Sequence, residues 1–297
     1  MYHRSVLLNE SVDGLAIHPD GIYVDATFGG GGHAAEILKR LTTGKLYAFD
    51  QDEDALKNKP DDPRLILINN NFRHIRNFLK LYRAVPVDGI LADLGVSSHQ
   101  IDTANRGFST RYDSALDMRM DRRKSLTARE VVNTCSEEKL TAVFREYGEL
   151  RNGARAASLI VRARKGNPIE TTEDLKSVLM SCAEKGKENK FFAKVFQAIR
   201  IEVNQELEAL KEFLTQGAEM LKPGGRMVII SYHSLEDSLV KNFFRAGNFE
   251  GDLQKDFYGN VIRILKPITR KAIVADELET EENTRARSAR LRIAEKI

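Results

Sequence analysis

Four short apolar runs, each ending on a polar residue, constrain this chain more than anything else in it. They are Ile22-Tyr-Val-Asp25, Lys45-Leu-Tyr-Ala-Phe49 before Asp50, Arg64-Leu-Ile-Leu-Ile68 before Asn69 and Phe72, and Val87-Asp-Gly-Ile-Leu-Ala92 before Asp93. Each has strand length and is rich in β-branched or aromatic residues. A helical stretch over residues 33–41 follows the first. Apolar strands alternating with helices predict a parallel, doubly wound α/β sheet, because parallel neighbours need a crossover and the crossover helix covers a sheet face.

Between residues 105 and 205 the strand signal stops. Leu140, Val143, Phe144 and Tyr147 share one helical face, with Glu137 and Glu138 in the first turn and Gly148 as a stop. Leu175, Val178, Leu179 and Cys182 repeat the pattern, opened by Thr171 with Asp174 three residues on. Phe192, Val195, Phe196, Ile199 and Val203 form a third stripe. The α/β pattern then resumes. Leu207, Leu210, Leu214, Ala218 and Leu221 line a helix that runs to Lys222-Pro-Gly-Gly225, and the strand Arg226-Met-Val-Ile-Ile-Ser231 follows. Val261-Ile-Arg-Ile-Leu265 and Ala289-Arg-Leu-Arg-Ile-Ala294 are candidates for the last two strands. The economical arrangement is one α/β domain from residues 1–104 and 206–297, interrupted by an all-helical domain over 105–205.

Composition narrows the function classes. With 42% apolar residues among 297, the chain is too apolar to be disordered. No stretch approaches the ~20 consecutive apolar residues of a membrane span. The start, MYHRSVLLNESVDG, has no apolar segment of the secretory kind. Two cysteines, Cys135 and Cys182, are too few for a disulfide framework and suit free thiols in a reducing cytoplasm. The six histidines are scattered without metal-ligand spacing, so no metal is expected. The net charge of +3 says little, but residues 105–205 hold 20 Lys/Arg against 14 Asp/Glu, a net of +6 that leaves −3 for the rest. A basic middle inside a mildly acidic frame suits a polyanionic partner; it equally describes a solvated helical surface.

Five segments carry candidate chemistry. Glycines 29–32 in Asp25-Ala-Thr-Phe-Gly-Gly-Gly-Gly-His33 allow a tight turn and close backbone approach to a ligand, with helix N–H groups behind them. The loop lacks the G-x-x-x-x-G-K-[ST] pattern, which disfavours a P-loop NTPase. Asp50, 19 residues after Gly31, is placed to accept hydrogen bonds from a ribose diol, or else caps the helical turn that follows. Together these imply an adenosine-type cofactor, either a dinucleotide or S-adenosylmethionine. Asp93-Leu-Gly-Val-Ser-Ser98-His-Gln100 ends the fourth strand, where ligands sit in such sheets, and is also plain turn chemistry. Arg106-Gly-Phe-Ser-Thr-Arg111-Tyr-Asp113 to Asp121 alternates Arg and Asp around Phe108 and Tyr112; it either grips phosphate and stacks a base or forms a salt-bridged linker. Ser231-Tyr-His233-Ser-Leu-Glu-Asp237 follows the fifth strand, where His233 either orients substrate or caps the next helix.

Taken together, and in order, these segments resemble the MraW-type bacterial methyltransferase family. The resemblance rests on the glycine segment 25–33, Asp88-Gly-Ile-Leu-Ala-Asp-Leu-Gly-Val-Ser-Ser98, Arg106-Gly-Phe-Ser109, Leu116-Asp-Met-Arg-Met-Asp121, Phe196-Gln-Ala-Ile-Arg200, Ser231-Tyr-His-Ser-Leu-Glu-Asp237 and Arg285-Ala-Arg-Ser288. It covers essentially the whole chain; one departure is His99, where a proline is common in the family. The resemblance implies a Rossmann-like class I methyltransferase sheet and a helical insertion that recognises RNA. It implies S-adenosylmethionine as methyl donor and N4 of a specific cytidine in the decoding region of 16S ribosomal RNA as acceptor. By matching positions, cofactor contacts fall on Gly31, Gly32, His33, Asp50, Phe72, Asp93 and Gln100, with Phe72 near the adenine. Asp93 is the candidate catalytic acceptor, or only holds the cofactor. Arg106, Arg111, Ser231 and His233 are the candidate substrate contacts. The partner implied is 16S ribosomal RNA within the small subunit, in the cytoplasm, and a homodimer is compatible with the chain. On fold signals alone a nicotinamide-dependent oxidoreductase competes, although it usually has a tighter G-x-G-x-x-G loop. A non-catalytic RNA-binding assembly protein also competes, but would not need Asp50 and Asp93 at successive strand ends.

Overall fold

Along every central strand, successive side chains pack into two different cores. Val24, Tyr47, Phe49, Ile90, Ala92, Met227 and Ile229 belong to one. Tyr23, Leu46, Ala48, Leu91, Val228 and Ile230 belong to the other. A strand whose side chains alternate between two faces, both apolar, must be covered on both sides. The computed structural model describes residues 5–297, so the first four residues of the N-terminal segment read above lie outside it. The chain divides into two compact units, residues 1–95 with 207–297, and residues 96–206.

The first unit holds a seven-stranded sheet. Its strands are β1 (Ile22–Asp25), β2 (Lys45–Phe49), β3 (Leu65–Ile68), β4 (Val87–Asp93), β5 (Leu221–Ser231), β6 (Leu265–Pro267) and β7 (Arg290–Lys296), in the order β3-β2-β1-β4-β5-β7-β6. The first five are parallel, with Val24 opposite both Tyr47 and Ile90, and Ile90 opposite Met227. β7 runs antiparallel to both β5 and β6. Helices Leu8–Gly14 and Gly32–Arg40 contribute to one face's core, and Ile75–Leu81, Glu206–Met220 and Ser234–Ala246 to the other's.

Three expectations shift. β5 begins at Leu221, which pairs with Val87, and residues 222–225 interrupt the ladder before Arg226 pairs with Gly89. The sixth strand is Leu265–Pro267 rather than 261–265, because Val261 is used in a bridge to Lys255. The first crossing between units falls after residue 95 rather than 104. Residues 96–106 form the short helix Ser98–Asp102 and the turn Ala104–Arg106, and the Arg106 side chain runs to carbonyls of the second unit.

The second unit is helical, with Ala128–Thr134, Glu137–Glu146, Gly153–Ala163, Thr172–Leu179 and Glu188–Asn204 as its main helices. They enclose a core of their own, including Leu140, Phe144, Ile160, Leu175, Val195 and Ile199. Reciprocal caps start two of them, Thr127 with Glu130 and Thr171 with Asp174. Cys182 is buried and Cys135 part-buried, both unbridged. Among the described residues no helix is long and apolar enough to cross a membrane.

Candidate active site

The carboxyl ends of β1, β2 and β4 converge because their connecting turns hydrogen-bond across the sheet. Ala26 N–H donates to Leu91 O at 2.8 Å, Phe28 N–H to Phe49 O at 2.8 Å, and Asp93 N–H to Thr27 Oγ1 at 2.6 Å. The glycine turn follows. Gly29 and Gly31 have φ of +50° and +78°, backbone that a side chain disfavours. A Cβ at Gly31 would also sit 3.0 Å from the Phe28 ring, whereas one at Gly30 would meet nothing within 4 Å. The turn is therefore open at Gly30, while Gly32, the first residue of the helix Gly32–Arg40, is closed off by Ser5.

Asp50, just past β2, ties the turn down. Its Oδ2 accepts from Gly29 N–H at 2.7 Å and its Oδ1 from Asp52 N–H at 2.8 Å. Asp52, not Asp50, caps the short helical turn Glu53–Asn58. Both Asp50 oxygens are therefore held in place at the edge of the turn.

Asp25 is fully buried at the end of β1. Its Oδ1 accepts from Thr27 N–H at 3.0 Å, while Oδ2 has no hydrogen-bond partner among the described residues. Burial pushes this carboxyl up to about 6, against the pull of His33; the charges of Asp93 and Asp50 add to the rise. His33 is itself buried, its Nε2 3.1 Å from Val6 O, and burial holds its pKa below the usual histidine range against the pull of Asp25. The neutral tautomer consistent with these contacts carries its proton on Nε2, leaving Nδ1 as an acceptor.

Asp93 completes the group. The Tyr232 hydroxyl donates to its Oδ1 at 2.7 Å, and its Oδ2 lies 3.9 Å from His33 Nδ1, beyond direct hydrogen-bond reach. Burial pushes the Asp93 carboxyl up to about 7; the Tyr232 hydrogen bond pulls it down and Glu236 pushes it up. The side chain nevertheless keeps 23% exposure, so an incoming group can reach it. Tyr232 is held in turn by its backbone N–H, which donates to Glu236 Oε2 at 2.9 Å. The arrangement thus offers one carboxylate oxygen fixed by a phenol and a second oxygen left for a donor.

The other sequence-derived residues fall in several places. Phe72 is part-buried against Phe213, ring centroids 5.0 Å apart. Ser231 is buried and its hydroxyl is 3.4 Å from Arg290 O, so it braces β5 against β7 instead of meeting a substrate. His233 accepts from Glu236 N–H and caps the helix Ser234–Ala246, the second of its two readings. In the helical unit, Gln100 is buried in a reciprocal cap with Ser97. Arg106 overturns its expectation as a substrate contact. It is fully buried, donates to Arg119 O at 2.9 Å and lies over the Phe108 ring. The acids beside it pair locally, Asp117 with Arg119 and Asp121 with Arg123, which is the salt-bridged linker reading. Arg111 is exposed. Tyr232 and the orphaned oxygen of Asp25 were missed from sequence. Asp25 heads the glycine segment, so its position was the available signal; nothing local marks the reach of Tyr232 to a residue 139 positions earlier.

The family model of the MraW methylase family matches residues 1–297, the whole chain. The chain belongs to the MraW methylase family. Among its relatives, the ribosomal RNA small subunit methyltransferase H of Christiangramia forsetii is 58% identical over 100% of this chain and 98% of that protein. The protein of the same name from Cytophaga hutchinsonii is 57% identical, with 100% of each covered. A solved rRNA methylase from Streptococcus thermophilus aligns over 100% of this chain and 99% of its own, at 14% identity and a TM-score of 0.46. The strand order, with β7 antiparallel between β5 and β6, is the Rossmann-like class I methyltransferase arrangement.

Proposed function

We propose that this MraW-family methylase is a cytoplasmic, S-adenosylmethionine-dependent ribosomal RNA methyltransferase that methylates N4 of a cytidine in the decoding region of 16S RNA. Relatives named as small-subunit rRNA methyltransferases, aligned end to end at 57–58% identity, support the RNA substrate. The observation that carries the chemistry is Asp93 at the end of β4, one oxygen held by Tyr232 and the other left beside His33.

The residues present fit the methyl donor. The buried, unpartnered Asp25 Oδ2 suits its ammonium group, and Asp50 suits its ribose hydroxyls. The open side of the glycine turn at Gly30 gives room for its methionine portion. Phe72 offers an apolar surface for the adenine. When bound, S-adenosylmethionine supplies an electrophilic methyl group on a sulfonium.

The cytosine N4 amine is a weak nucleophile because its lone pair is delocalised into the ring. Asp93 Oδ2 would accept an N–H of that amine, favour a pyramidal nitrogen and aim the lone pair. Positioning of this kind supplies roughly 7–11 kcal/mol of a barrier. The carboxylate form is the acceptor, so activity should rise with pH through about 7. The target base must be unpaired or flipped to reach such a site. Residues 96–206, with 20 Lys/Arg against 16 Asp/Glu and an exposed Arg111, would hold its phosphates.

Transfer of labelled methyl groups to small-subunit RNA, followed by mass spectrometry of the nucleosides, tests this. N4-methylcytidine is the expected product, and Asp93→Ala should abolish it with an unchanged circular dichroism spectrum. A methyl group on another base or atom, or wild-type turnover by Asp93→Ala, would overturn the proposal.

A further inference from the structure

Phe257 and Tyr258 are 98% and 85% exposed, the most solvent-exposed large apolar side chains among the described residues. They are not on an unstructured strip. Lys255 and Val261 form an antiparallel bridge, and Ile262 N–H donates to Gln254 O at 2.8 Å. The tip is closed by Asp256 N–H to Asn260 O at 2.9 Å and Gly259 N–H to Asp256 O at 3.0 Å, with Gly259 at φ +86°. One carboxylate organises it: Asp256 Oδ1 accepts from Tyr258 N–H at 2.9 Å and Asn260 N–H at 2.8 Å. The Asn260 side-chain amide donates to Oδ2 at 3.1 Å, and this bond first, then the backbone ones, holds the Asp256 carboxyl below the usual range. The base is anchored too. Arg245 donates to Gly251 O at 2.7 Å, Asn248 accepts from Gly251 and Asp252 N–H groups, and Phe249 stacks on Phe243 at 5.1 Å.

A built turn that presents two aromatic rings to water, edge to face at 5.7 Å and 88°, buries no core of its own. Exposed apolar surface of this kind marks an interaction site. The flanking charge selects the partner. Lys255 and Arg263 flank the turn, Arg263 also donating to Arg245 O, against Asp252 and an Asp256 engaged in the turn, and Lys266, Arg270 and Lys271 follow the hairpin along the chain. Aromatic rings set among cations are the composition of a single-stranded nucleic-acid platform, where bases stack and phosphates pair.

We infer that the 252–263 hairpin of the sheet-bearing unit is a second RNA contact, stacking unpaired bases of the substrate on Phe257 and Tyr258. This rests on the RNA-methyltransferase reading above and adds a contact surface outside the helical insertion. The hairpin raises affinity for RNA without touching the methyl donor or Asp93.

The chain has no tryptophan, so Phe257→Trp introduces a single fluorescent reporter at the tip. Its emission should be quenched by a short single-stranded RNA oligonucleotide and much less by a duplex of equal length. The double variant Phe257→Ala/Tyr258→Ala should raise KM for small-subunit RNA roughly ten- to a hundredfold, as expected for two lost stacking partners. Its kcat and its S-adenosylmethionine affinity should stay unchanged, and Phe257→Tyr should retain wild-type KM. An unquenched tryptophan in a protein that still binds the oligonucleotide would overturn the inference. So would an unchanged RNA KM in the double variant, including the case where sedimentation shows loss of a dimer, which would assign the rings to self-association. Failure of the wild-type protein to methylate RNA would instead refute the parent reading.

Discussion

Asp25→Asn replaces a buried carboxyl by a neutral amide of nearly the same shape. The amide oxygen can keep the bond from Thr27 N–H, so what changes is the group at Oδ2. Burial raises this carboxyl from an ordinary value of 3.8 to about 6. A carboxyl raised on folding binds its proton more tightly in the native state, so stability falls as pH rises from about 4 to about 6 and stays low above that. At pH 8 the ionised side chain costs about 3 kcal/mol, and at pH 5 about half as much. The amide carries none of this, although its unpaired N–H group costs ~1–3 kcal/mol at every pH. The two proteins should therefore differ by ~1.4 kcal/mol more in the variant's favour at pH 8 than at pH 5. That corresponds to about 2–4 °C in relative melting temperature. Thermal melts of both proteins at the two pH values measure it directly. Equal differences at pH 5 and pH 8 would refute the raised carboxyl. The same substitution removes the proposed partner of the donor's ammonium. Calorimetric titration with S-adenosylmethionine should then show at least a roughly tenfold weaker Kd, as for a lost hydrogen bond to a charged group.

Three further outcomes follow from the site and the insertion. Tyr232→Phe removes the hydrogen bond that pulls the Asp93 carboxyl down, so the acid limb of the kcat–pH profile should move to higher pH with activity recovered in alkaline buffer. An unshifted limb would remove Tyr232 from the tuning of Asp93, whose other titratable neighbours are His33, Asp25 and Glu236. Arg106→Ala should destabilise the helical unit by about 2–4 kcal/mol, seen in denaturant unfolding, because it removes a charged donor from the Arg119 and Met120 carbonyls and empties a buried site. Arg111→Glu should leave unfolding unchanged and weaken RNA binding only.

The sheet was legible in the sequence because its strands are short, apolar and end on polar residues at Asp25, Asp50, Asn69 and Asp93. The two interiors they build need alternation of size but not of polarity, so a continuous apolar run was the correct signal. The last two strands were harder. Among the described residues β6 pairs with β7 alone, and the same apolar run supplies one arm of the Phe257 hairpin, so local pattern could not say which stretch pairs. Arg106 misled because arginine is usually solvated, and only the fold reveals the carbonyls of Arg119 and Met120 waiting inside. Tyr232 stayed invisible for a related reason: its value lies in a partner supplied by a distant strand, and sequence spacing carries no trace of that.

β4 and β5 lie side by side in the middle of the sheet, yet all of residues 96–206 are made between them. As the chain grows, β4 emerges with its Ile90 and Leu91 edge bare, a surface on which nascent chains stick to one another. The intervening helices have an interior of their own and satisfy their apolar surface locally while that edge waits. Synthesis thus makes a body with its own interior before the half-built sheet receives its next strand.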